Sequence, residues 1–163
     1  MPNSNTFDVQ CIRKFIGRFH NINQVSIDPF ANYNTFATIT NDLDPQFKTN
    51  FCMDAGDFLK TFKDNSIDLV FFDPPYSSRQ VSESYKKLGY SVNMETTQGS
   101  YWAKMKDDIS RILKKDGICL SFGWNSNGIG KKRGFDIIEI LMVAHGGVHN
   151  DTICMAERKT TLF

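Results

Sequence analysis

A chain of 163 residues with 40% hydrophobic and 23% charged residues has the composition of a soluble globular protein, which excludes disordered and fibrous classes. A formal net charge of +1 supplies no global attraction to nucleic acid, so any phosphate contact has to come from a local patch. The cysteines Cys11, Cys52, Cys119 and Cys154 stand singly, which predicts reduced core thiols rather than disulfides or a zinc site.

This length predicts one domain over residues 1–163, with no separate target-recognition domain. The opening Met1-Pro2-Asn3-Ser4-Asn5 lacks a signal-peptide plan and no apolar run reaches membrane-spanning length, so a cytoplasmic location and no membrane partner are expected.

In chain order, residues 7–20 space Val9, Ile12, Phe15, Ile16 and Phe19 as one amphipathic helix. Three short apolar stretches follow, 25–27, 36–40 and 51–53, and each runs into acid at Asp28, Asp42 and Asp54. Between the third and a fourth strand, residues 57–62 carry Phe58, Leu59 and Phe62 as a short crossover helix. The fourth stretch, Ile-Asp-Leu-Val-Phe-Phe at 67–72, has the near-continuous apolar character of a strand buried on both faces, and it ends in Asp73. A longer helix is predicted over 100–114, with Trp102, Met105, Ile109, Ile112 and Leu113 inward; Lys115-Asp116-Gly117 ends it and leads to a strand at 118–122. The β-rich runs 137–144 and 152–157, separated by turn composition, form a closing hairpin. Together these predict an α/β fold with a mostly parallel sheet and an antiparallel C-terminal hairpin.

Ligands of open parallel sheets sit beyond the carboxyl ends of the strands, so four acid-ended strands gather carboxylates on one rim. That suits a ligand rich in hydroxyl and amino donors, such as an adenosine moiety with a positive charge nearby. In Asp73-Pro74-Pro75-Tyr76 the two prolines fix the backbone and remove its amide donors, leaving the Asp73 carboxylate and main-chain carbonyls as acceptors. Two acceptors gripping the hydrogens of an aromatic amine favour a tetrahedral nitrogen with its lone pair released toward an electrophile. Tyr76 is placed to stack on the flat ring.

These motifs resemble the Rossmann-like amino-methyltransferases of the DPPY type, which act on DNA adenine, especially their small stand-alone phage and bacterial forms. Val25-Ser-Ile-Asp-Pro-Phe-Ala-Asn32 is similar to the first cofactor motif, and the resemblance implies that Asp28, Pro29 and Phe30 lie near the methionine part of S-adenosylmethionine. Asn41-Asp42-Leu43-Asp44-Pro45 resembles the second, implying Asp42 on the ribose hydroxyls; Met53-Asp54-Ala55 resembles the third, implying Asp54 and Ala55 at the adenine. The match at 67–76 implies catalysis by Asp73, Pro74, Pro75 and Tyr76, with Asp73 also bordering the cofactor. The implied activity is methyl transfer to the N6 amine of adenine in DNA. The alternatives are an RNA base amino-methyltransferase, or a non-catalytic methyltransferase-like subunit that needs a partner.

Two departures from the family pattern carry expectations of their own. Asp-Pro-Phe-Ala continues as Asn32-Tyr33-Asn34-Thr35 rather than a glycine-rich turn, and too few residues separate the first two strands for a usual crossover helix, so that helix is expected to be reduced. With no recognition domain expected, target contacts fall to the loop 77–99, with Arg79, Lys86 and Lys87, and the loop 123–134, with Trp124, Asn125, Asn127, Lys131, Lys132 and Arg133. Both loops follow strand carboxyl ends and are expected to border the rim of Asp73, and a homodimer or partner subunit is a possible source of specificity. The second loop also stands where a helix usually runs between the fifth and sixth strands, so that helix too is expected to be reduced. Gly128-Ile-Gly130 is too slight for a phosphate loop, His145 and His149 belong to hairpin polarity, and Asp44, Asp57 and Asp68 read as solvated or capping groups. No metal is expected, since transfer from a sulfonium to an amine is a direct displacement.

Overall fold

The computed structural model describes residues 6–75, 99–146 and 150–161. Six strands form one sheet in the order β2-β1-β3-β4-β6-β5. Strands β1 (Ser26–Asp28), β2 (Ile39–Thr40), β3 (Ile67–Phe72) and β4 (Leu113–Gly123) are parallel, whereas β6 (Thr152–Lys159) runs antiparallel to both β4 and β5 (Phe135–Val143). The mostly parallel sheet with an antiparallel hairpin is therefore as expected, with hairpin strands slightly longer than the sequence suggested.

β3 is the spine. Val70 and Phe72 face one core with Ile27, Phe58, Leu59, Met105, Ile109 and Ile112, while Leu69 and Phe71 face a second with Phe7, Ile12, Phe15 and Ile16. Burial on both faces explains the unbroken apolar run. Its one polar member, Asp68, joins three strands at their amino ends, accepting from the Val25 amide at 2.8 Å and from Lys114 Nζ at 2.7 Å.

The opening helix is split. A 3-10 turn at Thr6–Asp8 precedes α1 (Gln10–Phe19), with extended Val9 between them and Arg13 folding back onto the Phe7 carbonyl and Asp8. The predicted third strand at 51–53 is reduced to one bridge between Asn41 and Phe51. Side chains have taken the places of ladder bonds there: Asn50 Oδ1 accepts from the Thr40 amide at 2.8 Å, and the Asn41 carboxamide serves Met53. Likewise Ser26 and Thr38 hydroxyls exchange bonds with each other's amides, so β2 begins only at Ile39.

Helix α2 (Ala55–Lys60) begins two residues earlier than predicted because Asp54 caps it, accepting from the amides of Gly56 and Asp57. Helix α3 (Gly99–Ile112) hands over directly to β4: Leu113 pairs with Ile67, the chain bulges through Asp116 (φ 64°), and regular pairing with β3 resumes at Ile118. Lys159, 1% exposed at the end of β6, closes the helix terminus by donating to the carbonyls of Ser110 (2.6 Å) and Leu113 (2.7 Å) and to Asn65 Oδ1.

Residues 29–38 contain no helix, and between β4 and β5 the only helical element is a 3-10 turn, Lys131–Arg133, so both reductions read from the sequence are present. Among the cysteines, Cys119 and Cys154 are buried, but Cys11 and Cys52 are exposed, which corrects the core-thiol expectation for those two; all four are free. Burial pushes the Cys154 thiol up to about 12. Among the described residues, no helix is long and apolar enough to cross a membrane, and no cluster of His, Cys, Asp and Glu is arranged to hold a metal.

Candidate active site

The parallel strands deliver Asp28, Asn41, Asp42 and Asp73 to one rim. Ile27 lies level with Val70 and Asp28 with Thr40, so Asp28 ends β1 between the outgoing chains of β2 and β3. Asp28 is 1% exposed; its Oδ1 accepts from the Phe30 amide at 3.0 Å, and its Oδ2 has no hydrogen-bond partner among the described residues. Burial holds this carboxyl well above the ordinary carboxylate range; the Phe30 amide opposes that, and the charges of Asp73 and Asp42 add to it. A buried acid with an orphaned oxygen is an acceptor awaiting a donor, preferably a cationic one.

Asn41, 0% exposed, organises the rim. Its backbone bonds with Asp28 and Ala31, and its side chain donates to the carbonyls of Pro29 (3.1 Å) and Met53 (3.0 Å) while accepting from the Met53 amide. Next to it, Asp42 accepts from Asn32 N through Oδ2 (3.0 Å) and from Asp44 N through Oδ1 (2.9 Å). The Asn32 amide can point there because Asn32 adopts the left-handed region (φ 53°), which Asn tolerates. Partial burial raises the Asp42 carboxyl, with those two amides opposing. A carboxylate offers about four lone-pair sites, so Asp42 retains capacity for hydroxyl donors.

An apolar wall stands beside the acids. Phe30 packs tilted against Phe72 (ring centroids 6.1 Å apart) and Trp102 (6.3 Å), and Met53 adjoins the same core. Asp54 and Ala55 follow at the start of α2, where the Asp54 side chain already serves as the helix cap. Asp73, Pro74 and Pro75 leave β3 half-buried at the same rim. Asn41, Met53 and Trp102 were not singled out by sequence reasoning; an Asn directly after an apolar strand end was the available signal for the first, whereas Trp102 read simply as a core position.

The target-contact candidates divide. Tyr76, Arg79, Lys86, Lys87 and His149 lie outside the described residues. Trp124 and Asn125 are exposed immediately beyond Gly123, at the carboxyl end of β4 and so on the rim. Lys131, Lys132 and Arg133 are not on it. They immediately precede Phe135, which pairs with Lys159, next to the Arg158 that faces Ile118; the loop has descended to the opposite end of the sheet, correcting the expected placement. Arg133 is committed to structure as well, bonding Asp107 and the carbonyls of Ile129 and Ala103. The amides of Ile129 and Gly130 grip the buried carboxylate of Glu157, which accounts physically for Gly128-Ile-Gly130 as an internal anion nest. His145 bonds Thr152 across the hairpin, in keeping with a polar hairpin end.

No protein-family model matches this sequence, and no curated protein matches it. Solved structures do match in fold. SMU.776, crystallised with SAH, superposes with a TM-score of 0.63 at 13% identity over 94% of this chain, which spans only 50% of the SMU.776 chain. A SAM-dependent methyltransferase from Methanosarcina mazei gives 0.62 at 8% identity, covering 91% of this chain and 98% of its own. The N-methyltransferase NodS from Bradyrhizobium japonicum WM9 gives 0.58 at 9% identity, covering 97% and 99%. The fold is that of the Rossmann-like class I methyltransferases; identities this low speak to fold.

Proposed function

We propose that this protein is an S-adenosylmethionine-dependent methyltransferase that acts on the N6 amine of adenine in DNA. The observation that carries the reading is the placement of Asp73-Pro74-Pro75 at the carboxyl end of the buried central strand, beside a buried acid whose Oδ2 has no partner among the described residues. The residues present suit the cofactor: Asp28 for a cationic amino group, Asp42 for the ribose hydroxyls, Asp54 and Ala55 for the adenine edge, and Phe30, Met53 and Trp102 as an apolar wall. Bound S-adenosylmethionine would supply an electrophilic methyl group on a sulfonium.

The protein's own contribution is to hold the amine. Asp73 and the Pro74 carbonyl accept its two hydrogens, bias the nitrogen toward tetrahedral geometry and aim its lone pair, while Tyr76 stacks on the base. With the cofactor bound, the held nitrogen would take the methyl group from the sulfonium, whose sulfur would keep the bonding electrons, and would then release one proton, so no strong general base is needed. Exposure of Trp124 and Asn125 just beyond the carboxyl end of β4 supports a role for them in contacting the target strand. The resemblance of residues 67–76 to the family that acts on DNA adenine favours DNA over RNA as the substrate.

One observation favours a second reading, a non-catalytic subunit: the helix-free stretch 29–38 provides no helix N-terminus for the cofactor's carboxylate. Calorimetric titration with S-adenosylmethionine separates the two, because a dead module gives no saturable heat. Incubation with methyl-labelled cofactor and either duplex DNA or total RNA, followed by digestion to nucleosides, identifies the product. Label in N6-methyladenine from DNA is expected; label confined to RNA would replace the substrate assignment.

A further inference from the structure

The short β4–β5 connection leaves part of the sheet uncovered. β4 and β5 run parallel with β6 between them, and their link of eleven residues, 124–134, crosses the sheet with only one 3-10 turn where parallel strands ordinarily require a helix. On the crossover face, Ile137 pairs with Glu157, Ile140 with Met155 and Met142 with Ile153. The single-residue shift between Ile137 and Glu139 keeps these three side chains on that face, while Glu139 turns to the other and meets Arg18 of α1. The outcome is an apolar strip in which Ile137 is 55%, Ile140 50% and Met142 69% exposed.

We propose that this strip is the two-fold interface of a homodimer, in which two sheets pack face to face. Three observations select a second copy, in this orientation, as the occupant. The strip carries no charge, so it is self-complementary, as an isologous contact demands. The bulge at Ile138 interrupts the outer edge of β5, which disfavours edge-to-edge pairing and leaves the face as the contact. The ends are oppositely charged: exposed Lys131 and Lys132 precede β5 at its amino end, and exposed Asp151, which accepts from the His145 amide at 3.2 Å, lies at its carboxyl end, one residue before the Thr152 that pairs with Val143. A two-fold axis perpendicular to the strands sets β5 antiparallel to its copy and brings each lysine pair toward the partner's acid.

The test is sedimentation equilibrium of the full chain from about 1 to 500 µM. A reversible monomer–dimer equilibrium is expected, with Ile140→Asp weakening it about tenfold or more. The more exposed Met142→Lys does the same if Ile140→Asp fails to fold, and circular dichroism reports which variants are folded. Lys131→Glu with Lys132→Glu weakens the dimer, and adding Asp151→Lys restores it. A monomer at every concentration, whether or not it captures other proteins, overturns the proposal, as does a dimer indifferent to both apolar substitutions. Failure of the charge swap to restore association overturns the antiparallel arrangement.

Discussion

Asn41 holds Met53 by both of its polar groups, donating from Nδ2 to the Met53 carbonyl at 3.0 Å and accepting the Met53 amide on Oδ1 at 3.2 Å. A side chain thus imitates the pair of bonds that a neighbouring strand would make, and it keeps residues 53–55 at the rim although no strand forms at 51–53. Asn41→Ala leaves the buried Pro29 carbonyl and the part-buried Met53 carbonyl and amide without this partner and is predicted to destabilise the fold by about 1–3 kcal/mol. Urea denaturation measures this; a loss within 0.5 kcal/mol, roughly that of an ordinary surface substitution, would contradict the bridging role.

Asp54 caps α2, and under the proposed function it also faces the cofactor's adenine. As the cap of α2, its loss in Asp54→Ala costs about 1 kcal/mol. Asp54→Asn retains the capping oxygen and is predicted to match the wild type in thermal melts while binding S-adenosylmethionine more weakly. Equal cofactor affinity in Asp54→Asn would remove Asp54 from the adenine site.

Asp28 ties stability to pH. In acid, below the ordinary carboxylate range, it is protonated in both folded and unfolded chains and costs nothing. As pH rises the unfolded chain ionises first, and the native state is progressively destabilised until the raised native pKa is passed, after which the cost is constant. Asp28→Asn keeps an acceptor for the Phe30 amide, so it is predicted to raise Tm at neutral pH, with the gain disappearing in acid. Cofactor affinity should fall in the same variant. Calorimetric melts across the pH range would contradict the account if the Tm gain were absent at neutral pH or did not shrink in acid.

Most of the architecture was legible because it follows from burial. The apolar run at 67–72 has the character of a strand covered on both faces, and the helical spacing of Met105, Ile109 and Ile112 has its counterpart in one buried face of α3. Illegible parts were those where side chains substitute for backbone. The third strand failed because Asn50 and Asn41 took over its hydrogen bonds, and nothing in local periodicity reports such a substitution. Lys131–Arg133 were placed at the rim by counting from a strand end, but where the loop finishes is set by the pairing of Phe135 with Lys159, a relation between distant residues. The acids of the rim were readable one by one; that Asp28 would be buried with an orphaned oxygen was not, since burial at a strand end depends on its neighbours.

The most direct test of the central claim compares the wild type with Asp73→Asn in single-turnover methyl transfer to duplex DNA, with S-adenosylmethionine binding measured alongside. The account predicts N6-methyladenine from the wild type and a rate lower by at least about 100-fold in Asp73→Asn, with cofactor affinity changed only slightly. Transfer by Asp73→Asn at the wild-type rate would contradict it.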